Sequence, residues 1–154
     1  ASGMAPVQAM LDAGVSVGLG TDGAASNNDL DMFGEMRDAA MLGKLAAEDA
    51  SAVDAGTVVE MATAGGADLL GFDSGRIEAG ANADLAVIDL DAPHLTPAHD
   101  LVSHLTYAAR GSDVRHTVCD GQVLLRDREV TVFDEAAVRE RAAERASELV
   151  ERAA

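Results

Sequence analysis

A short apolar run, followed by a polar glycine-rich loop and a long amphipathic helix, constrains the fold of this chain most strongly. The run covers residues 15–19 and the loop covers residues 20–28. Asn28 or Asp29 can cap the helix that follows. A helical pattern over residues 5–13 precedes the run and ends at a glycine. The order helix, strand, loop, helix is typical of the α/β unit of a parallel sheet.

The sequence pattern changes after residue 72, where turn residues become frequent and short strands replace long helices. Asp120-Gly121 between two alternating segments is a strong signal for a two-residue hairpin. Asp134 can cap a final helix, whose apolar residues are expected to face inward: Val138, Ala142, Leu149 and Val150. We therefore predict two parts, residues 1–72 of α/β type and residues 73–154 of mostly antiparallel β type. In the second part we predict strands over residues 85–89, 115–119, 122–126 and 129–133, and helices over residues 100–109 and 135–152.

The composition limits the kinds of partner that the protein can bind. The 11 basic and 27 acidic residues give a formal net charge of −16. This charge argues against non-specific nucleic-acid binding, because phosphate contacts need Lys and Arg, and an anionic membrane would also repel it. No apolar run approaches the ~20 residues of a membrane-spanning helix, and no segment has the pattern of a signal peptide. We therefore expect a cytoplasmic protein that binds neither nucleic acids nor membranes.

The kind of charge points to a salt-adapted source. Lys44 is the only lysine, and the 17 aspartates outnumber the 10 glutamates. An acidic, lysine-poor surface suits a cytoplasm of high ionic strength, because salt screens the repulsion between carboxylates. An ordinary acidic protein from a GC-rich genome is the alternative interpretation.

The loop after the apolar run has three possible interpretations. Gly18, Gly20 and Gly23 satisfy the dinucleotide-binding spacing G-x-G-x-x-G, but the following helix begins too late to meet a diphosphate, and Asp22 would repel it. The loop could also be a plain turn, since Gly, Asp and Asn are common turn residues. In the third interpretation Asp22 is a catalytic carboxylate at the carboxyl end of a barrel strand. Such a group can hold a metal ion or accept and return a proton.

Residues 18–37 favour the third interpretation, because they resemble the last barrel strand and helix of the amidohydrolase superfamily. The most similar branch contains 5-methylthioadenosine/S-adenosylhomocysteine deaminases and their chlorohydrolase relatives. The resemblance implies the C-terminal portion of a (β/α)8 metal-dependent hydrolase barrel. Part of a small antiparallel β-sandwich and a terminal helix would follow it. Residues 1–72 would then be the last helix-strand-helix part of the barrel, and residues 73–154 the C-terminal part of the composite sandwich. Further similarity lies in residues 61–67, 75–89, 105–114 and 120–121.

The resemblance also implies a site and an activity. Asp22 matches the aspartate that closes the metal site, for which zinc is the expected divalent ion, and Ser26 is a candidate substrate-binding residue. The remaining ligands and the proton-shuttling glutamate would lie upstream of Ala1, so we expect the chain to begin within a domain and to carry an incomplete site. The complete protein would hydrolytically deaminate a small molecule, an adenine-type nucleoside or a related heterocycle such as a triazine or guanine-like ring.

A different hypothesis is that the chain is a non-catalytic module, either stand-alone or a split subunit that needs a partner to complete the barrel. A lone parallel strand and apolar helix faces would favour self-association or dependence on the missing N-terminal portion.

Other residue types that could carry chemistry have structural explanations. His94, His99 and His104 are spaced by five, which does not place them on one face of a helix or strand. We expect structural or surface roles for them and for His116. We predict that Cys119 is a small buried hydrophobic residue. The methionines at 32, 36, 41 and 61 are predicted to lie in the core.

Overall fold

The computed structural model describes residues 3–153, which form seven α-helices and one four-stranded sheet. Two short 3-10 helices, Pro93–Leu95 and Gly111–Asp113, flank the sixth α-helix. The helices are α1 (Val7–Asp12), α2 (Ala24–Asn27), α3 (Met32–Ala47), α4 (Ala55–Ala62), α5 (Ala64–Leu70), α6 (Leu101–Tyr107) and α7 (Glu135–Ala153). The strands are β1 (Leu85–Ile88), β2 (Val114–Cys119), β3 (Gln122–Arg126) and β4 (Glu129–Val130).

Side-chain caps set the starts of the longer helices. The carboxylate of Asp31 accepts a hydrogen bond from the backbone NH of Phe33 at 2.9 Å and begins α3. The carboxylate of Asp54 accepts from the NH of Thr57 at 2.8 Å and begins α4. The prediction that Asn28 or Asp29 caps α3 was therefore wrong. The loop contains the additional one-turn helix α2, which moves the start of α3 along the chain.

The core lies where α3, α4 and α6 pack against one another. Two of the four methionines predicted as core residues, Met36 and Met61, are buried, whereas Met41 is 54% exposed on the outer side of α3. Because α6 packs on α3 and α4, part of the second half of the sequence lies against the first half. The division at residues 72 and 73 stays a prediction. The buried cluster consists of Met36, Ala40, Ala52, Val53 and Val58.

Lys44 connects the end of α3 to the segment that leads into α4. Its Nζ donates hydrogen bonds to the backbone carbonyls of Ala52 at 2.8 Å and Val53 at 2.9 Å. The same ammonium lies 5.7 Å from the ring centroid of Tyr107 on α6, within the range of a cation–π contact. The only lysine of the chain therefore ties α3 and α6 to one buried loop.

The sheet is antiparallel, with the strands in the order β1-β2-β3-β4. Asp120 and Gly121 both have positive φ, +48° and +75°, as a type I′ hairpin turn requires, so this prediction is confirmed. Asp127 and Arg128 form a second turn of this kind, with φ of +50° and +67°. The strand predicted over residues 129–133 is shorter than expected and ends at Val130.

The strand predicted over residues 15–19 is not formed as part of any sheet among the residues that the structure describes. Its backbone forms two hydrogen bonds with other segments, from the NH of Val15 to the carbonyl of Met10 at 2.9 Å and from the NH of Leu19 to the carbonyl of Met61 at 3.2 Å. A parallel strand satisfies its backbone hydrogen bonds by pairing with a neighbouring strand. The described residues supply none beside this segment, so the expected α/β unit lacks its sheet.

The prediction of an inward apolar face on the terminal helix α7 was also wrong. Val138, Ala142, Leu149 and Val150 were expected to face inward, yet no residue of α7 is buried. Cys119 is also exposed, contrary to prediction, because it lies at the end of β2 beside the hairpin turn. Over residues 3–153 we find no helix with the length and apolar character needed to cross a bilayer.

The acidic surface leads to a prediction about salt. We expect the melting temperature of the chain to rise by at least about 5 °C between 0.1 M and 2 M KCl, because salt screens repulsion among the carboxylates. Circular dichroism at 222 nm during heating measures the melting temperature. As a control, replacing Glu140, Glu144 and Glu151 of the exposed helix α7 by Gln should make the rise smaller, since three negative charges are removed. A melting temperature that does not rise would contradict salt adaptation.

Candidate active site

Asp22 follows the segment formed by residues 15–19 and has a left-handed conformation with φ of +59°. Aspartate is one of the few non-glycine residues that adopt this conformation readily. The side chain is exposed, and its Oδ2 accepts a hydrogen bond of 2.7 Å from the hydroxyl of Ser26. The two residues that the sequence proposed as site residues are therefore in direct contact.

The hydrogen bond from Ser26 lowers the pKa of the Asp22 carboxyl below its ordinary value, and a hydrogen bond from the backbone NH of Gly23 lowers it further. Hydrogen bonds of this kind favour the charged form of a carboxyl group. Asp22 is therefore ionised at neutral pH. An exposed carboxylate held in one orientation is a suitable oxygen ligand for a divalent cation.

A pair of polar side chains that sequence analysis missed supports the loop. The Oδ1 of Asn27 accepts a hydrogen bond from the NH of Leu30, and its Nδ2 donates to Oε1 of Glu35, both at 2.6 Å. The turn that the bond from Leu30 to Asn27 closes contains two non-glycine residues with positive φ, Asn28 at +75° and Leu30 at +57°. The only signal in the sequence was that asparagine commonly bonds to the backbone of its own turn.

Asp31 connects this loop to the second half of the chain. One carboxylate oxygen caps α3, and the other accepts a hydrogen bond from the NH of Gly111 at 3.0 Å. A Cβ at position 111 would lie 3.2 Å from that carboxylate, so glycine allows this close approach. The end of the Asp22 loop is thus fixed to the segment that leads into β2.

The side chains of residues 3–153 can supply one metal ligand near this loop, Asp22, and not a complete site. No group of three or more His, Cys, Asp or Glu side chains suited to a metal occurs within residues 3–153. A catalytic zinc site needs about three protein ligands, of which Asp22 can be one.

Three of the four histidines have hydrogen-bond partners away from Asp22. Nε2 of His94 lies 2.9 Å from a carboxylate oxygen of Asp113, and Nδ1 of His104 lies 2.8 Å from the backbone carbonyl of Asp100. Nδ1 of His116 accepts a hydrogen bond from a backbone NH at 3.1 Å. These contacts agree with the structural roles predicted for His94, His104 and His116, and the role of His99 stays a prediction.

Comparison with known proteins identifies the fold to which this loop belongs. Residues 1–124 match the sequence profile of the Amidohydrolase family. The chain belongs to the amidohydrolase family. A curated relative from Haloarcula marismortui, named 5-methylthioadenosine/S-adenosylhomocysteine deaminase, is 86% identical over 153 residues. This match covers 99% of the chain and 35% of the relative.

Solved amidohydrolase structures agree with this assignment. An adenosine deaminase from Xanthomonas campestris with bound zinc superimposes with a TM-score of 0.94 and 43% identity, over 97% of this chain and 35% of that one. A variant of atrazine chlorohydrolase from Arthrobacter aurescens, in complex with zinc and atraton, superimposes with a TM-score of 0.83. Its identity is 32%, over 92% of this chain and 32% of that one.

These matches confirm the predicted fold class, the C-terminal portion of an amidohydrolase barrel with part of its β-sandwich and a terminal helix. The chain spans about a third of the length of the relatives that it matches. The assignment of residues 15–19 to a barrel strand stays a prediction, under which the segment would pair with other barrel strands.

Proposed function

We propose that this chain is part of a hydrolytic deaminase that acts on an adenine-type nucleoside, of the methylthioadenosine and S-adenosylhomocysteine class. Asp22 would be both a ligand of a divalent metal, with zinc as the expected ion, and a proton-transfer group. The observation that carries the proposal is the exposed, ionised Asp22 carboxylate fixed by Ser26 at the end of the segment 15–19. The name of the Haloarcula marismortui relative supports the substrate class.

Hydrolytic deamination replaces the amino group of the ring carbon by the oxygen of water and releases ammonia. A bound zinc ion would supply Lewis acidity that promotes ionisation of water. The protein must then accept a proton from water and return one to the leaving nitrogen. The carboxylate of Asp22 can do both, and the hydrogen bond from Ser26 to Oδ2 fixes the plane in which its oxygens lie. We place Ser26 at the substrate as well, because its hydroxyl is exposed beside that carboxylate.

The experiment uses a complete enzyme, here called the chimaera, in which this chain replaces the matched segment of the Haloarcula marismortui relative. At 86% identity the exchanged segment should fold in its new context. We expect the chimaera to bind zinc and to release ammonia from 5′-methylthioadenosine at a rate within about tenfold of that of the relative. Ammonia release coupled to an absorbance assay measures this. A folded chimaera without deaminase activity, beside an active relative, would overturn the proposal. A triazine and guanine tested in parallel distinguish the related ring substrates.

The chain by itself has features of a non-catalytic module that needs further protein to complete the site. Within residues 3–153 the ligand set is incomplete, and several large apolar side chains are exposed. Phe72 is 63% exposed and Ile77 is 92% exposed. We propose that the isolated chain self-associates or requires the rest of the barrel, because apolar surface of this kind favours association. The cytoplasmic location stays a prediction from the sequence.

We expect the purified 154-residue chain to give no turnover of 5′-methylthioadenosine with added zinc, and to sediment as more than a monomer. Sedimentation velocity at several concentrations measures the association, and the ammonia assay measures the turnover. The chimaera, assayed under the same conditions, is the positive control. Measurable turnover by the isolated chain, or a stable monomer over the whole concentration range, would contradict this description.

A further inference from the structure

We propose that Asn27 and Glu35 are a positioning pair for the active site, which holds Ser26 and, through it, the carboxylate of Asp22. The inference rests on the proposed function of Asp22, and it adds two residues that do not touch a substrate or a metal. Three connected contacts carry it: Ser26 to Asp22 at 2.7 Å, Asn27 to Leu30 at 2.6 Å and Asn27 to Glu35 at 2.6 Å.

The first step is that Ser26 needs support from outside its own helix. It lies on α2, which has four residues and no side-chain cap at its N-terminus. A helix of one turn is not stable alone, because fixing the first turn costs more conformational entropy than its hydrogen bond repays. The hydroxyl of Ser26 can hold Asp22 in one orientation only if other contacts hold α2.

The second step is that Asn27, the neighbour of Ser26 and the last residue of α2, supplies such contacts. Its side-chain carbonyl closes the turn to Leu30, and its amide donates to Glu35. The turn includes left-handed conformations at Asn28 and Leu30. A leucine in this conformation is strained and persists only where the surrounding contacts determine it. The bonds of Asn27 therefore decide the path of the chain between α2 and α3.

The third step is that Glu35 lies on a rigid element. It occupies the first turn of α3, and the next residue, Met36, is in the buried core. A carboxylate in a first turn also interacts favourably with the helix dipole, which would be a purely structural role. The two roles differ chemically: the bond from Asn27 needs an oxygen acceptor, whereas the dipole needs a negative charge. Glutamine keeps the oxygen and removes the charge.

The test compares Glu35→Ala, Glu35→Gln and Asn27→Ala in the chimaera, with Asp38→Ala as the matched control. Asp38 is an exposed carboxylate on the same helix. We expect Glu35→Ala and Asn27→Ala to lower kcat by about 10- to 100-fold with KM changed by less than about threefold, because displaced catalytic groups impair chemistry more than binding. Zinc affinity, measured by competition with a chromophoric chelator, should fall by about tenfold. Glu35→Gln and Asp38→Ala should resemble the parent.

Wild-type kcat and zinc affinity in Glu35→Ala would overturn the positioning role. It would equally be overturned if Glu35→Gln lost as much as Glu35→Ala, since the charge and not the hydrogen bond would then matter. Amide hydrogen exchange over residues 22–30 gives a readout that needs no activity. We expect faster exchange in Glu35→Ala and Asn27→Ala, and unchanged exchange in Glu35→Gln. An inactive parent that binds no zinc overturns the proposed function. Even then, faster exchange in Glu35→Ala supports the positioning of Asp22, and unchanged exchange overturns it.

Discussion

Replacing Asp22 by Asn in the chimaera should lower kcat for 5′-methylthioadenosine by at least about a thousandfold. Asparagine keeps the size of the side chain and an oxygen that can accept the hydrogen bond from Ser26, so the loop should keep its shape. It removes the negative charge, and with it the ability to ligate zinc strongly and to carry a proton. Zinc affinity should therefore fall in the same variant, whereas the melting temperature of the zinc-free protein should not.

Two further variants make this result specific. Asp29→Asn changes a carboxylate of the same loop that accepts a hydrogen bond from the NH of Asp31, a bond that asparagine can also accept, so activity should be retained. Ser26→Ala removes the hydroxyl that orients Asp22, and we expect a smaller loss, about tenfold in kcat. Turnover by Asp22→Asn within tenfold of the parent, with unchanged zinc affinity, would rule out Asp22 as a metal ligand.

The second large effect concerns stability. Replacing Lys44 by Met in the isolated chain should lower the free energy of unfolding by about 3 kcal/mol, because the carbonyls of the buried residues Ala52 and Val53 lose their donor. Methionine fills a similar volume, so the loss should reflect the hydrogen bonds and the cation–π contact with Tyr107. The melting temperature should fall by about 10 °C, measured by circular dichroism in 2 M KCl, where repulsion between carboxylates is screened.

Arg141→Met is the matched control for this change, since it also removes one positive charge, but from an exposed position on α7. We expect that variant to melt within about 2 °C of the unmodified chain. Lys44→Arg should lose less than Lys44→Met, because a guanidinium can still donate to a carbonyl. Equal melting temperatures for Lys44→Met and Arg141→Met would show that the hydrogen bonds of Lys44 contribute nothing.

Local signals in the sequence predicted the features that depend on a few neighbouring residues. The hairpin turn Asp120-Gly121 needs two neighbouring residues that accept positive φ, and both adopt it. Features that depend on distant residues were predicted less well. The strand predicted over residues 15–19 forms no sheet, because its pairing depends on strands that the described residues do not contain. Val138 on α7 was placed inward because helical periodicity identifies an apolar face without identifying what covers it.

In the candidate site, too, some features were predicted from the sequence and others were not. Asp22 and Ser26 were identified through the resemblance of residues 18–37 to a family, and the hydrogen bond between them was not predicted. Asn27 and Glu35 were missed because their bond depends on α2, a one-turn helix with no clear sequence signal.

The exposure of Cys119 makes the chain convenient for site-specific labelling. It is the only cysteine, so a thiol-reactive dye or spin label attaches at one position without prior mutagenesis. The neighbouring Asp84 carboxylate raises the pKa of the thiol, because a second negative charge close to it is unfavourable. Conjugation therefore proceeds faster in mildly alkaline buffer than at neutral pH. A fluorophore there would report on the end of β2, about a hundred residues along the chain from Asp22, as the rest of a barrel assembles.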